Sequence, residues 1–562
     1  MELNQELILK QCSANFWEEV KDVQICSIRV DSIHADAFAG LVNVNQLYLA
    51  ANALTKIEAN IFCDLKNLTC LDLSYNSIDS IDSNAFFGLE NLNILNLAWN
   101  KMKLFDANNF SCLKNLVELN LASNQLESID ARLFESLTKL EKLDLAQNLI
   151  RSLDSAAFEK LSNLCELNLL GNQIEIIDAD QTFSCLKRMR KLNLASNKIA
   201  QIDENTFSGL INLEELILSY NQIGSIHSNA FSTLINLKSL SLSSNQLKSI
   251  DFKGLVNLEE LDLMSNQIDA IRKDMFDQLV HLKYLSLQSN KINQIESESF
   301  ANLSNLIGLH LSFNQIKQIK KGSLKGLSSL THLGLMYNQL KSIEANSLCD
   351  LNQLEVLDLM TNNLSKIEAD TFKGLLSVKD INLYKNKLIS IDQSAFLDLT
   401  NLYKFQLSHN QIKSIEKLTF SAQINLEVLD LSYNKIESID SNALINLRAL
   451  KQLNLISNKI KTIDSIHLSG LLNLTNLDLA SNLINSIDSS AFDNLLNLRE
   501  LNVSRNKIKS LDPFKLASVI NVDLSRNQID SLNGISSLRS VRKLDLSGNK
   551  LINIQSFSDL SY

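Results

Sequence analysis

The chain of 562 residues is 45% hydrophobic but only 6% aromatic, contains one proline, and carries a formal charge of −10 at pH 7 with a pI near 5.4. A single core stops growing near ~250–300 residues, so this length demands either several domains or a repeat that adds core as it lengthens. The acidic balance argues against nucleic acid as a ligand, and no eighteen-residue apolar run offers a transmembrane segment.

The first residues, Met1 to Lys10 (MELNQELILK), carry acids where a secretory leader carries basic residues, so no signal peptide is expected. Cys12 and Cys26 flank Phe16 and Trp17, and a half-formed repeat begins at Val23 and Ile25. From Asn52 the pattern L-x-x-L-x-L-x-x-N then recurs in register through Asn76, Asn100 and onward to Asn506, Asn527 and Asn549, giving 22 copies. Nearly all are 24 residues long; the unit ending at Asn197 has 25, and those ending at Asn266, Asn527 and Asn549 have 21 or 22.

One copy shows the physical duty of each position. Leu68 opens it, alternation along a short strand sends Leu71 and Leu73 inward, and Asp72 points to the opposite face. Asn76 stands where the strand turns away, and its amide can satisfy backbone groups of its own and the adjoining turn. Phe86 and equivalents such as Phe62, Phe110, Phe158 and Phe207 should stack as an internal spine, with leucine substituting at Leu324, Leu348, Leu444 and Leu468.

These residues resemble the leucine-rich-repeat superfamily, in its typical 24-residue class, and the resemblance extends to Toll-like receptor ectodomains and chaoptin-like or other extracellular members. It implies an α/β solenoid: a horseshoe with one continuous parallel β-sheet on the concave face and mostly irregular, 3-10 or short helical segments on the convex face. Residues 1–43 then form an N-terminal cap and half repeat, and 44–562 the solenoid, with no evident C-terminal cap. The four-cysteine, proline-containing cluster of most secreted members is missing, which leaves both a Cys12–Cys26 disulfide and a pair of buried thiols open. The short unit at Asn266 is expected to change local curvature.

No nucleophile, phosphate-loop or metal-protease motif occurs, so no catalytic residue, metal or cofactor is expected. The strand-centre carboxylates recur too regularly to be general acids and read as scaffold. The basic cluster Lys187, Arg188, Arg190 and Lys191 is either a polyanion patch or a solvated edge.

Specificity should instead lie on positions three, five, seven and eight of each repeat, which line the concave sheet. In the middle of the chain these positions hold Met264, Tyr284, His310, Phe313, His332, Met336, Tyr337, Met360, Tyr384, Lys385, Lys404, His409 and Tyr433, the aromatics and methionines that protein-binding surfaces favour. Gly308 and Gly334 lie among them and could admit a ligand backbone. Tyr48, Tyr75 and Trp99 form a smaller, secondary candidate.

The expected activity is non-catalytic protein binding, as a recognition, adhesion or receptor-ectodomain-like module, and a homo-oligomer is open. The alternative is an intracellular regulator or scaffold that wraps an enzyme or signalling partner. The resemblance favours an extracellular or cell-surface setting; the lack of a leader allows a cytoplasmic one. Sequons at Asn67, Asn109, Asn302, Asn363, Asn473 and Asn502 offer glycan positions, though random placement would give as many.

Overall fold

The structure is a computed structural model that describes residues 1–12, 20–177, 182–512, 514, 516, 518–538 and 540–552; Phe16 and Trp17 lie outside them. The chain divides into two compact units, Met1–Ile268 with Gln278–Leu282, and Asp269–Asp277 with Lys283–Tyr562.

Each unit is a β-solenoid built on a ladder of three-residue parallel strands, one per repeat. In the first unit the ladder starts at Asp22–Gln24, passes through Gln46–Tyr48 and Cys70–Asp72, and reaches Glu260–Asp262. Register is strict: Gln46 pairs with Cys70, Leu47 with Leu71 and Tyr48 with Asp72. In the second unit it runs from Tyr284–Ser286 to Lys543–Asp545, with Leu285 opposite Leu309 and Leu309 opposite Leu333.

The central leucine of each strand lies inside, as alternation requires; Leu71, Leu95, Leu285 and Leu309 are fully buried. Burying one such side chain contributes about 1.5–3 kcal/mol, but only a neighbouring repeat supplies the other wall, so the gain belongs to the stack and not to one unit. Phenylalanines stack through the interior with ring centroids 6.4 Å apart for Phe62–Phe86, 6.2 Å for Phe86–Phe110 and 5.8 Å for Phe276–Phe300. Phe38, Phe183 and Phe514 extend this spine beyond the positions that the sequence reading named.

The asparagine ladder forms as expected. Asn76 Nδ2 donates to the carbonyls of Leu73 in its own repeat and Leu49 in the preceding one, while its Oδ1 accepts the Leu54 N–H at 3.0 Å. The 21-residue unit keeps this arrangement, because Asn266 still bonds to Leu242 and Leu263 and accepts from Leu247. The deletion is therefore absorbed outside the strand and its turn.

The return path is turns with little helix. Two-residue parallel strands add a second contact there: Lys56–Ile57 pairs with Ser80–Ile81, and Gln318–Ile319 with Ser342–Ile343. These short strands were not anticipated; they arise where an isoleucine must point inward from an extended dipeptide. Helical structure among the described residues is the α-helix Gln5–Cys12 and the 3-10 turns Ser155–Phe158 and Ile535–Leu538.

Candidate binding face

Positions three, five and eight face outward from the strand ladder; position seven, expected to join them, is buried where it is small, as at Ser74, Ala98 and Ser312, and only larger side chains such as Met336 reach the surface from it. The backbone geometry of this face depends on two recurring devices. The first is at position five. Wherever that position is Asp or Asn, its side-chain oxygen accepts the N–H two residues on: Asp72 from Ser74 at 2.9 Å, Asn96 from Ala98 at 3.1 Å, Asp358 from Met360 at 3.0 Å. The chain has left the ladder at this N–H, and the short polar side chain replaces the lost strand partner. The strand-centre carboxylates are thus scaffold, and this bond is the reason they recur.

The second device is at position eight, just before the asparagine. The backbone there is left-handed whatever the residue: φ is 54° at Tyr75, 58° at Trp99, 57° at Phe313, 52° at Tyr337, 55° at His409 and 52° at Tyr433. For a side chain larger than glycine this conformation costs roughly 1–2 kcal/mol. Bulky aromatics are rare in it, so their presence at an exposed turn is an outlier that scaffold needs alone do not explain.

These aromatics associate along the ladder. Phe313 and Tyr337 stack at 4.6 Å with planes 8° apart, and His409 stacks on Tyr433 at 4.3 Å while Tyr384 meets it edge-on at 5.0 Å. They remain accessible: Tyr337 is 39% exposed and Tyr433 50%. Met336, Met360 and Tyr384 are partly covered, Lys385 is exposed, and Lys404 pairs with Asp380 at 3.6 Å. Met264 belongs to the first unit; the other twelve primary candidates belong to the second.

Gly308 and Gly334 differ in their surroundings. A methyl group on Gly308 would come within 3.1 Å of Tyr284 Cδ1, and one on Gly334 within 3.5 Å of His310 Nδ1. The Tyr284 ring fills the space above Gly308, so that glycine seats an aromatic; beside Gly334 the nearest atom is Ser312 Oγ at 3.2 Å and the His310 ring is only in ordinary contact. His310 keeps exposed surface, yet partial burial of its ring, and secondarily the charge of His332, pushes its pKa below the ordinary histidine value. His332 Nδ1 lies 2.7 Å from Thr331 Oγ1.

In the secondary candidate, Tyr75 and Trp99 stack at 5.2 Å with planes 8° apart. Tyr48 occupies position five and its hydroxyl donates to Gln46 Oε1, so it does not continue that stack. Tyr220, 65% exposed with φ 56°, sits in the same eighth position and was missed, although its place before Asn221 marks it. Tyr403 is also half exposed, but at position two, for which the sequence carries no signal.

Elsewhere the expectations divide. Cys12 and Cys26 are free thiols, their sulfurs directed at the carbonyls of Asp22 and Tyr48 respectively, so the disulfide is not formed in this structure. Nor are both buried: Cys26 is exposed. The glycan position at Asn109 is untenable in this fold. That side chain is 2% exposed, donates to the carbonyls of Ile81 and Asp82, and accepts the Asp106 N–H at 2.7 Å. Asn67, Asn302 and Asn473 are exposed, and Asn363 and Asn502 partly so.

The basic cluster is interleaved with other groups: Lys191 pairs with Glu215 at 3.3 Å, and Arg188 donates to Asn163. Among the described residues no group of three His, Cys, Asp or Glu side chains converges to hold a metal, and no helix is long and apolar enough to cross a membrane.

Comparison with known proteins places this geometry. The leucine rich repeat family matches ten segments, most of them overlapping, from 18–78 to 472–517. No curated protein matches. Among solved structures, the plant peptide hormone receptor RGFR1 in complex with RGF2 superposes with a TM-score of 0.57 at 22% identity, over 94% of this chain and 90% of that one. The Toll–Spatzle complex of Drosophila gives 0.65 at 18% identity, over 97% and 87%. The TLR13–ssRNA13 complex gives 0.47 at 25% identity, over 96% and 86%.

Proposed function

The chain belongs to the leucine-rich-repeat family, and from that premise we propose that it is a non-catalytic module that binds a protein ligand on the sheet face of its second unit, the face that the sequence reading takes as concave. The observation that carries this reading is the Phe313–Tyr337 stack: two large aromatics held at exposed positions in a left-handed backbone that disfavours them. Stiff aromatics bury area at low entropic cost, which is how binding hot spots act. Tyr284, His310 and His332 supply polar edges beside it, and His409 and Tyr433 a second stack.

A ligand-binding ectodomain, extracellular or at the cell surface, is the setting supported by the likeness to the RGFR1 and Toll structures, whose fold this chain shares. The alternative is an intracellular regulator or scaffold, and the buried sequon at Asn109 is compatible with either setting. Peptide mapping of the native protein separates them: glycans at Asn67, Asn302 or Asn473 establish the secretory route, and unmodified asparagines with reduced cysteines the other.

The binding reading is tested by placing a photo-crosslinking residue at Tyr433, identifying the captured protein, and measuring its affinity for Tyr337→Ala and His332→Ala chains. Loss of an aromatic anchor should weaken binding about thirtyfold or more. Unchanged affinity in both variants discards this face as the site.

A further inference from the structure

The position-five bond that closes every Asp- or Asn-bearing repeat is missing over three successive repeats of the second unit, where Ser286, His310 and Gly334 occupy that position. Among the described residues, the backbone N–H groups of Gln288, Ser312 and Met336 accordingly meet no protein acceptor, whereas the next repeat is closed again by Asp358 onto Met360. The three donors stand two residues beyond adjacent strands that run about 4.8 Å apart, at the turn where other repeats supply an oxygen, and of the three residues Ser312 is buried while Gln288 and Met336 are partly exposed. No Asp or Glu stands at positions three, five, seven or eight of these repeats.

We propose that this run binds carboxylate groups of the protein ligand, whose oxygens take the N–H bonds that Asp and Asn oxygens take elsewhere in the chain. The inference rests on the binding reading above and specifies its chemistry. Hydrogen bonds to an ionised oxygen are stronger than those to a neutral one, so an anionic group outcompetes an amide in the middle of the run, while Asp358, opposite Gly334 on the adjoining strand, bounds the run at its far edge. His310 and His332 stand on the strands of the last two of these repeats. The protein itself provides the precedent in geometry: the occupied positions have N···O distances of 3.0 Å at both Asp430–Ser432 and Asn382–Tyr384.

The chain contains seven methionines, so 15N-methionine labelling of the full protein yields few amide signals; Met336 and Met360 report on this face, and Met264 on the same repeat position in the first unit. Met264 and Met360 donate to Asp262 and Asp358, while Met336 is one of the open donors. The probes are an acetylated, amidated tetraglutamate, its tetraglutamine counterpart, and an acetylated tetra-alanine with a free C-terminus. The Met336 signal is expected to move saturably with tetraglutamate if side-chain carboxylates are the ligand, or with the alanine peptide if a C-terminus is, while Met264 and Met360 stay still and tetraglutamine moves nothing. Gly334→Asn should install the missing bond and abolish the Met336 shift. Should that variant not fold, Ser286→Asn closes the neighbouring donor and is expected to weaken the carboxylate probe about tenfold.

A Met336 signal that moves no more than Met360, equal response to tetraglutamine, or a shift that persists in folded Gly334→Asn overturns the proposal. If the probes fail while Tyr337→Ala still abolishes partner binding, the binding face stands and only its carboxylate chemistry falls. If the probes succeed while Tyr337→Ala binds normally, the aromatic anchor falls instead.

Discussion

The carboxylate of Asp358 accepts the backbone N–H of Met360 at 3.0 Å, closing the turn that takes the chain out of the sheet. Its cost is desolvation: burial raises the Asp358 pKa, the Met360 bond lowers it, and the charge of Asp380 raises it further. Asparagine makes the same bond at Asn382 without a charge.

Asp358→Asn is therefore expected to stabilise the protein at neutral pH. A carboxyl whose pKa is raised by folding contributes its stability below its unfolded value, near ~3.9, and loses it as pH climbs through the folded value. The advantage of the variant should thus be absent at low pH and full at pH 7. Asp358 is only half-buried, so solvent screening limits the effect to on the order of a few tenths of a kcal/mol. Urea denaturation of both proteins across this range reads it, and Asp478, raised chiefly by burial, should behave alike.

Tyr337 separates function from stability. Replacing it by glycine relieves a left-handed backbone, worth roughly 1–2 kcal/mol, and removes a stacked pair, worth about 0.5–1.5 kcal/mol. The two nearly cancel, so Tyr337→Gly should leave the unfolding midpoint within about 1 kcal/mol of the parent while abolishing partner binding. A large loss of stability would show that Phe313 and Tyr337 serve packing.

The asparagine ladder has no such compensation. Asn124 donates to Leu97 and Leu121 and accepts from Met102, all inside the protein. Asn124→Ala strands those groups without water, at a cost of about 1–3 kcal/mol. Because stability in a solenoid is shared between neighbours, amide exchange should accelerate first at Met102 and adjoining turns.

Much of this was legible in the residues. Asn76, Leu71 and Phe86 recur because each does one job that few side chains can do, so their spacing reveals strand, turn and spine. Asp72 and its equivalents recur just as regularly, yet they face solvent, and an exposed carboxylate reads as tolerance until the position of the N–H two residues on is seen. Gly308 was equally opaque, since only coordinates show that Tyr284 lies over it. Tyr220 and Asn109 were readable and missed: the first stands directly before a ladder asparagine, and the second directly before a spine phenylalanine, a place where Ala85, Ala157 and Thr206 are also buried.

Asn109 supplies a prediction of its own. With both ends of its amide engaged and no exposed surface, it should carry no glycan even when the chain is secreted from a glycosylating host, and Asn109→Ala should destabilise by about 1–3 kcal/mol. Glycopeptide mapping that finds Asn109 occupied in folded protein would contradict the burial described here.

His310 makes the binding face sensitive to acid. Burial, then the charge of His332, depresses its pKa, so the folded protein resists a proton that the unfolded chain accepts near ~6.5. The unfolded state then binds more protons in that window, and stability is full above it and declines as pH falls. His310→Asn removes the titrating ring and offers an oxygen to the Ser312 N–H, as Asn382 does for Tyr384. The variant should match or exceed the parent at pH 7.5 and gain on it steadily toward pH 5.5. Parallel stability curves over that interval would mean that burial does not act on the His310 ring.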